Sequence, residues 1–309
     1  MKIGDAIRRI ERSARLDPVA AFARSLIRRV PPGRAADTLH GVDLGHPMHP
    51  LLVQVPIGAW MSATVLDLFP GTRRPALGLI DLGVAAALPA MAAGALDFAE
   101  QHPRQQRVGM VHAVSAKCGV LLYAASAVAR HRGRQGWGKA LGFAGMGMVG
   151  VAGMLGAHIA YSLNGGVSHT EQDRDLLPEG WHDLGPLDDF AEDTPVRRVV
   201  GGVPVVVVRS DQDVRVLTEA CSHLGGPLSD GTVAEGCITC PWHGSTFRMA
   251  DGSVVHGPAT SPQTVLETLV VDGVVSVRRP DHGSAPHHGT EIPHPRAAET
   301  MPTGPTGLA

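Results

Sequence analysis

Four apolar runs, at about 51–69, 77–98, 109–129 and 140–163, fill the first half of this chain. Each approaches the ~20 residues that a helix rising 1.5 Å per residue needs to cross the hydrocarbon core of a bilayer. Helices buried in a soluble bundle normally keep a polar face, and these runs do not. The expectation is a four-helix transmembrane bundle, with a soluble bundle as the alternative. The last run repeats Gly147, Gly150, Gly153 and Gly156, small residues that let helix backbones approach.

The second half has a different period. Valine-rich alternating runs at 196–200, 203–208, 214–217, 265–271 and 274–277, with turns at Gly201-Gly202 and Asp272-Gly273, imply a small antiparallel β-sandwich. The fold class is therefore multidomain α plus β, with the four-helix transmembrane bundle first and the sandwich after it. The divisions are a basic amphipathic arm at 1–40, the helical domain at 41–165, a polar linker at 166–180, the β domain at 181–280 and a tail at 281–309. The tail is rich in Pro, Gly, Thr and His and reads as disordered, with His282, His287, His288 and His294 solvated rather than ligating.

A net charge of −2 over 309 residues gives no basic surface for nucleic acid. Four cysteines make no disulfide framework and suit a reducing compartment. In the arm, Ile3, Ile7, Ile10 and Ala14, then Val19, Phe22, Ala23 and Leu26, alternate with arginines such as Arg8, Arg12 and Arg24. That pattern suits helices lying on an anionic leaflet, with membrane lipid as partner.

Chemistry concentrates at 220–248, where A-C-S-H-L-G-G-P-L is followed by G-C-I-T-C-P-W-H-G-S-T-F-R. Cys221-x-His223 and Cys240-x-x-His243 offer two thiolates and two imidazoles. Such a set serves a [2Fe–2S] centre with cysteines on one iron and histidines on the other, or a Cys₂His₂ zinc ion. Each pair here mixes Cys with His, whereas zinc fingers keep them apart. Gly225, Gly226, Pro227, Pro241 and Gly244 suit loops whose amides turn toward cluster sulfurs, so the cluster is the stronger reading. Cys237 makes a C-x-x-C with Cys240, but a cysteine committed to iron leaves Cys237 as a small residue on the intervening hairpin.

On C-S-H-L-G-G, C-P-W-H-G-S-T-F and H-G-P-A-T-S-P, residues ~181–280 resemble a Rieske domain of the ferredoxin type. The resemblance implies one-electron transfer through a [2Fe–2S] cluster. It also implies that no disulfide crosses the cluster, because Gly226 and Trp242 hold the places of the extra cysteines of cytochrome bc relatives. Ser245 matches a serine that donates to the cluster, and Phe247 stands where high-potential relatives have tyrosine, which implies an intermediate potential. The segment H-P-M-H-P-L-L-V-Q-V-P-I-G-A-W and the helices after it, roughly 40–165, resemble an uncharacterised bacterial four-helix membrane domain sometimes fused to Rieske modules. That second resemblance carries no activity.

Antiparallel alternation places His46, His49, Asp97, His102, His112 and His158 at the boundary facing the cluster domain. His112 with His158 on adjacent helices is the expected pair for a b-type haem. A quinone pocket using the same histidines with Asp97 is the alternative, and plain interfacial solvation is the third reading. Asp67, Asp81 and Lys117 lie in or beside spans, as ion pairs or as a proton route. Multi-pass insertion in a bacterial inner membrane follows, with a redox protein or quinone as partner. The arm's arginines place the cluster domain in the cytoplasm, although Arg73, Arg74, Arg130, Arg132, Arg134 and Lys139 on the other side oppose this. An oxygenase would need a further large iron-binding domain, and a redox-gated sensor or transporter would rest on Asp67, Asp81 and Lys117 alone.

Overall fold

A computed structural model describes residues 3–210 and 213–280; the tail histidines lie outside them. The helices are α1 (Ile3–Glu11), α2 (Asp17–Ile27), α3 (Arg34–His40), α4 (Met48–Leu52), α5 (Gln54–Leu66), α6 (Arg73–Glu100), α7 (Pro103–His131), α8 (Gln135–Ser162) and α9 (Glu171–Leu176). By length and composition α6, α7 and α8 can each cross a membrane. The run expected as the first span is instead broken at Val53 into α4 and α5. Pro56 explains the break, since it has no N–H to give the carbonyl of Leu52. With 13 residues, α5 spans ~20 Å, short of the ~30 Å hydrocarbon core.

Glycine sets how closely the long helices pack, though not through the repeat seen in the sequence. A Cβ at Gly145 would lie 2.9 Å from Tyr123, and one at Gly119 2.9 Å from Val149. Gly147, Gly150 and Gly153 meet nothing within 4 Å, whereas Gly156 abuts His112. Spacing by three drifts around a helix of 3.6 residues per turn, so a run of i, i+3 glycines cannot keep one face to a neighbour. At the end of the bundle far from the β domain, Trp60 stacks on Tyr123 at 4.3 Å and 4°. Beside that stack the fully buried Arg130 forms a two-point ion pair with Asp67, with Nη1 at 2.8 Å from Oδ1.

The N-terminal arm packs on the other end. Ile7 is buried with Val108, Leu155 and Ile159. Glu11 accepts from Arg104 Nε at 2.8 Å and pairs with His158 Nε2 at 2.7 Å, while Arg107 clasps Asp17 at 2.6 and 2.8 Å. Val19 and Phe22 remain exposed.

Among the described residues ten strands follow: β1 (His182–Pro186), β2 (Val196–Val200), β3 (Val203–Ser210), β4 (Asp213–Thr218), β5 (Thr232–Ala234), β6 (Cys237–Thr239), β7 (Thr246–Arg248), β8 (Val254–His256), β9 (Val265–Val271) and β10 (Val274–Arg278). They form a six-stranded sheet in the order β1-β10-β9-β4-β3-β2 and a four-stranded sheet β5-β6-β7-β8. Side chains alternate across a strand, so Val205 and Val207 enter one core while Val206 and Val208 enter a second with Ile238 and Phe247. This second core carries the loops that hold the cysteine and histidine pairs.

Candidate functional site

Each pair sits on a loop closed by backbone hydrogen bonds, and in both the cysteine N–H donates back across the loop, Cys221 to the carbonyl of Gly226 and Cys240 to that of Ser245, each at 2.8 Å. Gly225 N–H donates to the carbonyl of Cys221 at 2.8 Å, and Gly244 N–H to that of Cys240 at 3.1 Å. Both glycines have positive φ, +73° and +77°, which lets a short loop reverse after its histidine without a Cβ clash. Gly226 has a different duty, because a Cβ there would lie 2.8 Å from Cys240 Sγ. Gln263 secures the first loop from behind. It accepts from Ser222 N–H at 3.1 Å and donates to the carbonyls of Thr218 and Ala220 at 2.7 and 2.6 Å.

The loops bring the four side chains together as two pairs. Cys221 and Cys240 are buried, free and hydrogen-bonded through sulfur. The rings of His223 and His243 are 5.1 Å apart and perpendicular. The Cys221 thiol donates to Cys240, which pushes Cys221 up and, with the amides of Trp242 and His243, holds Cys240 down at about 7. Burial, with His243 close by, lowers His223 to about 3, so its ring is neutral. The lowered Cys240 thiol and the neutral His223 ring are in the states that bind metal, and Cys221 gives up its proton on binding. His223 Nδ1 is buried with no hydrogen-bond partner, which marks a nitrogen available to a metal. Two sulfurs beside two imidazoles fit a [2Fe–2S] cluster better than a single ion. Ser245, fully buried, donates toward Cys221 and accepts from Ala259 N–H at 3.0 Å.

Next to the cluster loops lies a cavity of about 840 Å³, reaching from His223 into the helices. His40, His46, His49, Asp97 and His112 share its wall. Leu51, Val114 and Tyr161 line it too, and are also 52%, 53% and 84% exposed on the outer surface, so the cavity opens sideways between helices. His49 Nδ1 donates to the carbonyl of Ala90 and His112 Nδ1 to that of Ala152, both at 2.8 Å, and the two rings are 6.2 Å apart. The expected partnership of His112 with His158 is not formed. α1 inserts its buried Glu11 beside His158, and a buried carboxylate must be paired, so His158 serves Glu11 outside the cavity. His102 packs edge-on against Trp242 at 5.5 Å.

Residues 180–273 match the family described as Rieske [2Fe-2S] domain, and residues 45–169 the family described as Predicted membrane protein (DUF2231). The chain is 38% identical over 97 residues to the anthranilate 1,2-dioxygenase ferredoxin subunit of Burkholderia cepacia, 31% of this chain and 90% of that protein. The chain belongs to the Rieske [2Fe-2S] family. Ferredoxin CarAc of Metapseudomonas resinovorans is 36% identical over 84 residues, 26% of this chain and 78% of the relative. The oxygenase component of 3-ketosteroid-9-alpha-monooxygenase from Rhodococcus rhodochrous is 32% identical over 120 residues, 37% of this chain, and only 30% of its own length is matched. A solved structure, the ferredoxin of carbazole 1,9a-dioxygenase from Nocardioides aromaticivorans IC177, is covered at 100% by 33% of this chain, with 26% identity and a TM-score of 0.32. The Rieske domain carries a [2Fe–2S] cluster, and it follows a helical region related to membrane proteins.

In this Rieske protein the cluster loops face the chain's own helices. Asp37 of α3 accepts from Gly257 N–H at 2.9 Å and pairs with His256 Nδ1 at 3.1 Å. His40, three residues on, meets Asp97 at 3.2 Å. Asp37, His40 and Gln263 carry no motif in the sequence, because each acts through contacts far along the chain. Asp67, by sequence a span carboxylate, and Arg130, by sequence a loop cation, form one ion pair. Asp81 meets His131 at 3.1 Å in an exposed contact, and exposed Lys117 lines the cavity.

Proposed function

We propose that this protein is a membrane-anchored Rieske electron-transfer protein in which Cys221 and Cys240 hold one iron and His223 and His243 the other. The bound cluster would supply a one-electron couple. The chain's own residues exclude water from the sulfurs, with Ser245 O–H and the amides of the two loops directed at them. In this reading α4 and α5 together act as the first of four membrane-crossing segments, and the arm lies on the cytoplasmic leaflet.

The redox partner within the membrane is a quinone, and one observation carries this reading: the apolar cavity that opens sideways between helices ends at His223. A lipid-soluble carrier can enter from the bilayer and reach the histidine edge of the cluster without crossing water. Haem through His112 and His158 loses its support, since His158 is engaged by Glu11. A second reading, delivery of electrons to a separate oxygenase, is favoured by the two ferredoxin relatives.

Full-length protein in lipid nanodiscs tests the two together. Addition of a short-tailed hydroquinone should produce the electron-spin-resonance signal of a reduced Rieske cluster, with no haem bands in the optical spectrum. A cluster reduced by dithionite but untouched by low-potential hydroquinones would remove the quinone reading and leave the tethered ferredoxin.

A further inference from the structure

A carbonyl oxygen only accepts hydrogen bonds, so the contacts of His49 Nδ1 with Ala90 and of His112 Nδ1 with Ala152 put the ring proton on Nδ1 in both residues. In the neutral ring, Nε2 is then a lone pair. Neither Nε2 has a protein partner among the described residues, and both residues line the cavity that ends at His223. The tautomers are held from outside the cavity by two different helices, since Ala90 belongs to α6 and Ala152 to α8. Gly94 and Gly156 make room for the rings, because a Cβ at these positions would lie 2.7 Å from His49 and 3.3 Å from His112. The helices thus present two fixed acceptors, with ring centres 6.2 Å apart, to a largely apolar space.

We propose that His49 and His112 make the cavity selective for the reduced form of its carrier. The inference rests on the quinone reading of that cavity. A hydroquinone carries two O–H donors that satisfy the Nε2 lone pairs. The oxidised quinone carries two carbonyl oxygens, which place acceptor against acceptor and leave buried nitrogens unpaired. Sites built to receive a ligand's hydrogen bond discriminate strongly against analogues that lack the donor. The functional consequence is that the cavity fills from the reduced fraction of the membrane pool.

Calorimetry of the holo-protein in nanodiscs, under anaerobic conditions, tests this with three probes. Decylubiquinol is titrated into protein with reduced cluster, decylubiquinone into protein with oxidised cluster, and the dimethyl ether of decylubiquinol into both. The ether keeps the reduced ring but has no donors. Decylubiquinol should bind on the order of tenfold tighter than either other probe for each histidine engaged. His49→Leu and His112→Leu should each erase about tenfold of that preference, provided cluster signal and thermal midpoint show the variants folded. Equal affinity for all three probes would overturn the proposal while leaving a quinone site in place. Absence of binding by any probe would overturn the proposal together with the reading beneath it. A transition metal or haem found on His49 and His112 would also overturn it.

Discussion

The two ends of the helical region treat buried polar groups in opposite ways. At the far end Arg130 and Asp67 neutralise each other, Lys139 covers the carbonyl of Asp67, and Ser126 ties the arginine to α8 through Gly138. Every strong donor has an acceptor, and the result is a strut. At the end facing the Rieske domain, imidazoles are bonded on one nitrogen only and the space beside them stays open. A saturated network rigidifies, whereas a half-saturated one is a place for a ligand.

The largest test breaks the open end at its tip. Cys221→Ser or Cys240→Ser should lose the cluster completely, by visible absorption and electron-spin resonance, while helical circular dichroism persists. Cys237→Ser should keep the cluster, since Cys237 sits on β6 paired with Arg248 and outside the sulfur pair. A normal Rieske signal in Cys240→Ser would refute the ligand assignment.

The closed end should respond through stability instead. Arg130→Met leaves Asp67 buried and unpaired, a change that costs about 3–5 kcal/mol, and the double variant with Asp67→Leu should recover most of it. Thermal unfolding in detergent measures both, and the cluster signal per folded molecule should not change. If Arg130→Met alone costs nothing, the pair is not a strut.

These contrasts also separate what the sequence shows from what it hides. The cluster loops are legible because Cys221 with His223, and Cys240 with His243, form two short-spaced pairs whose spacing is fixed by their chemistry. The long apolar helices were legible by length. Strands β5 to β8 were not, because three residues are too few to display a period. His46, His49, Asp97 and His112 were placed at one boundary by alternation, and the structure brings them to one cavity. The expected pairing of His112 with His158 does not form because helix depth says nothing about the arm, whose Glu11 arrives from 147 residues away.

A middle-sized effect should come from the contact that seats the Rieske domain on α3. Asp37→Ala removes the acceptor for both Gly257 N–H and His256, a loss of about 1–3 kcal/mol in local stability for a charged acceptor. Hydrogen exchange should quicken at 254–260 and stay unchanged around Arg130. Equal protection in variant and parent would mean that the domain is seated by other contacts.

The smallest effect is a pH dependence confined to the arm. Burial alone would raise the Glu11 carboxyl, but hydrogen bonds from Arg104 and His158 outweigh it and hold the group below its ordinary 4.5. Asp17 is likewise lowered, chiefly by its hydrogen bonds from Arg107. A carboxylate depressed in the folded state contributes stability that is fully present above its unfolded value and is lost as pH falls through the folded one. The arm should therefore stay docked through neutral and mildly acidic pH and loosen only below the ordinary carboxylate range. Hydrogen exchange or protease cleavage at 3–27 reads this directly. The end held by Arg130 and Asp67 should remain protected when the arm lets go, because that ion pair is buried at the other end of the helices. Release of the arm on raising the pH, or simultaneous opening of both ends, would show that the two ends are not independent.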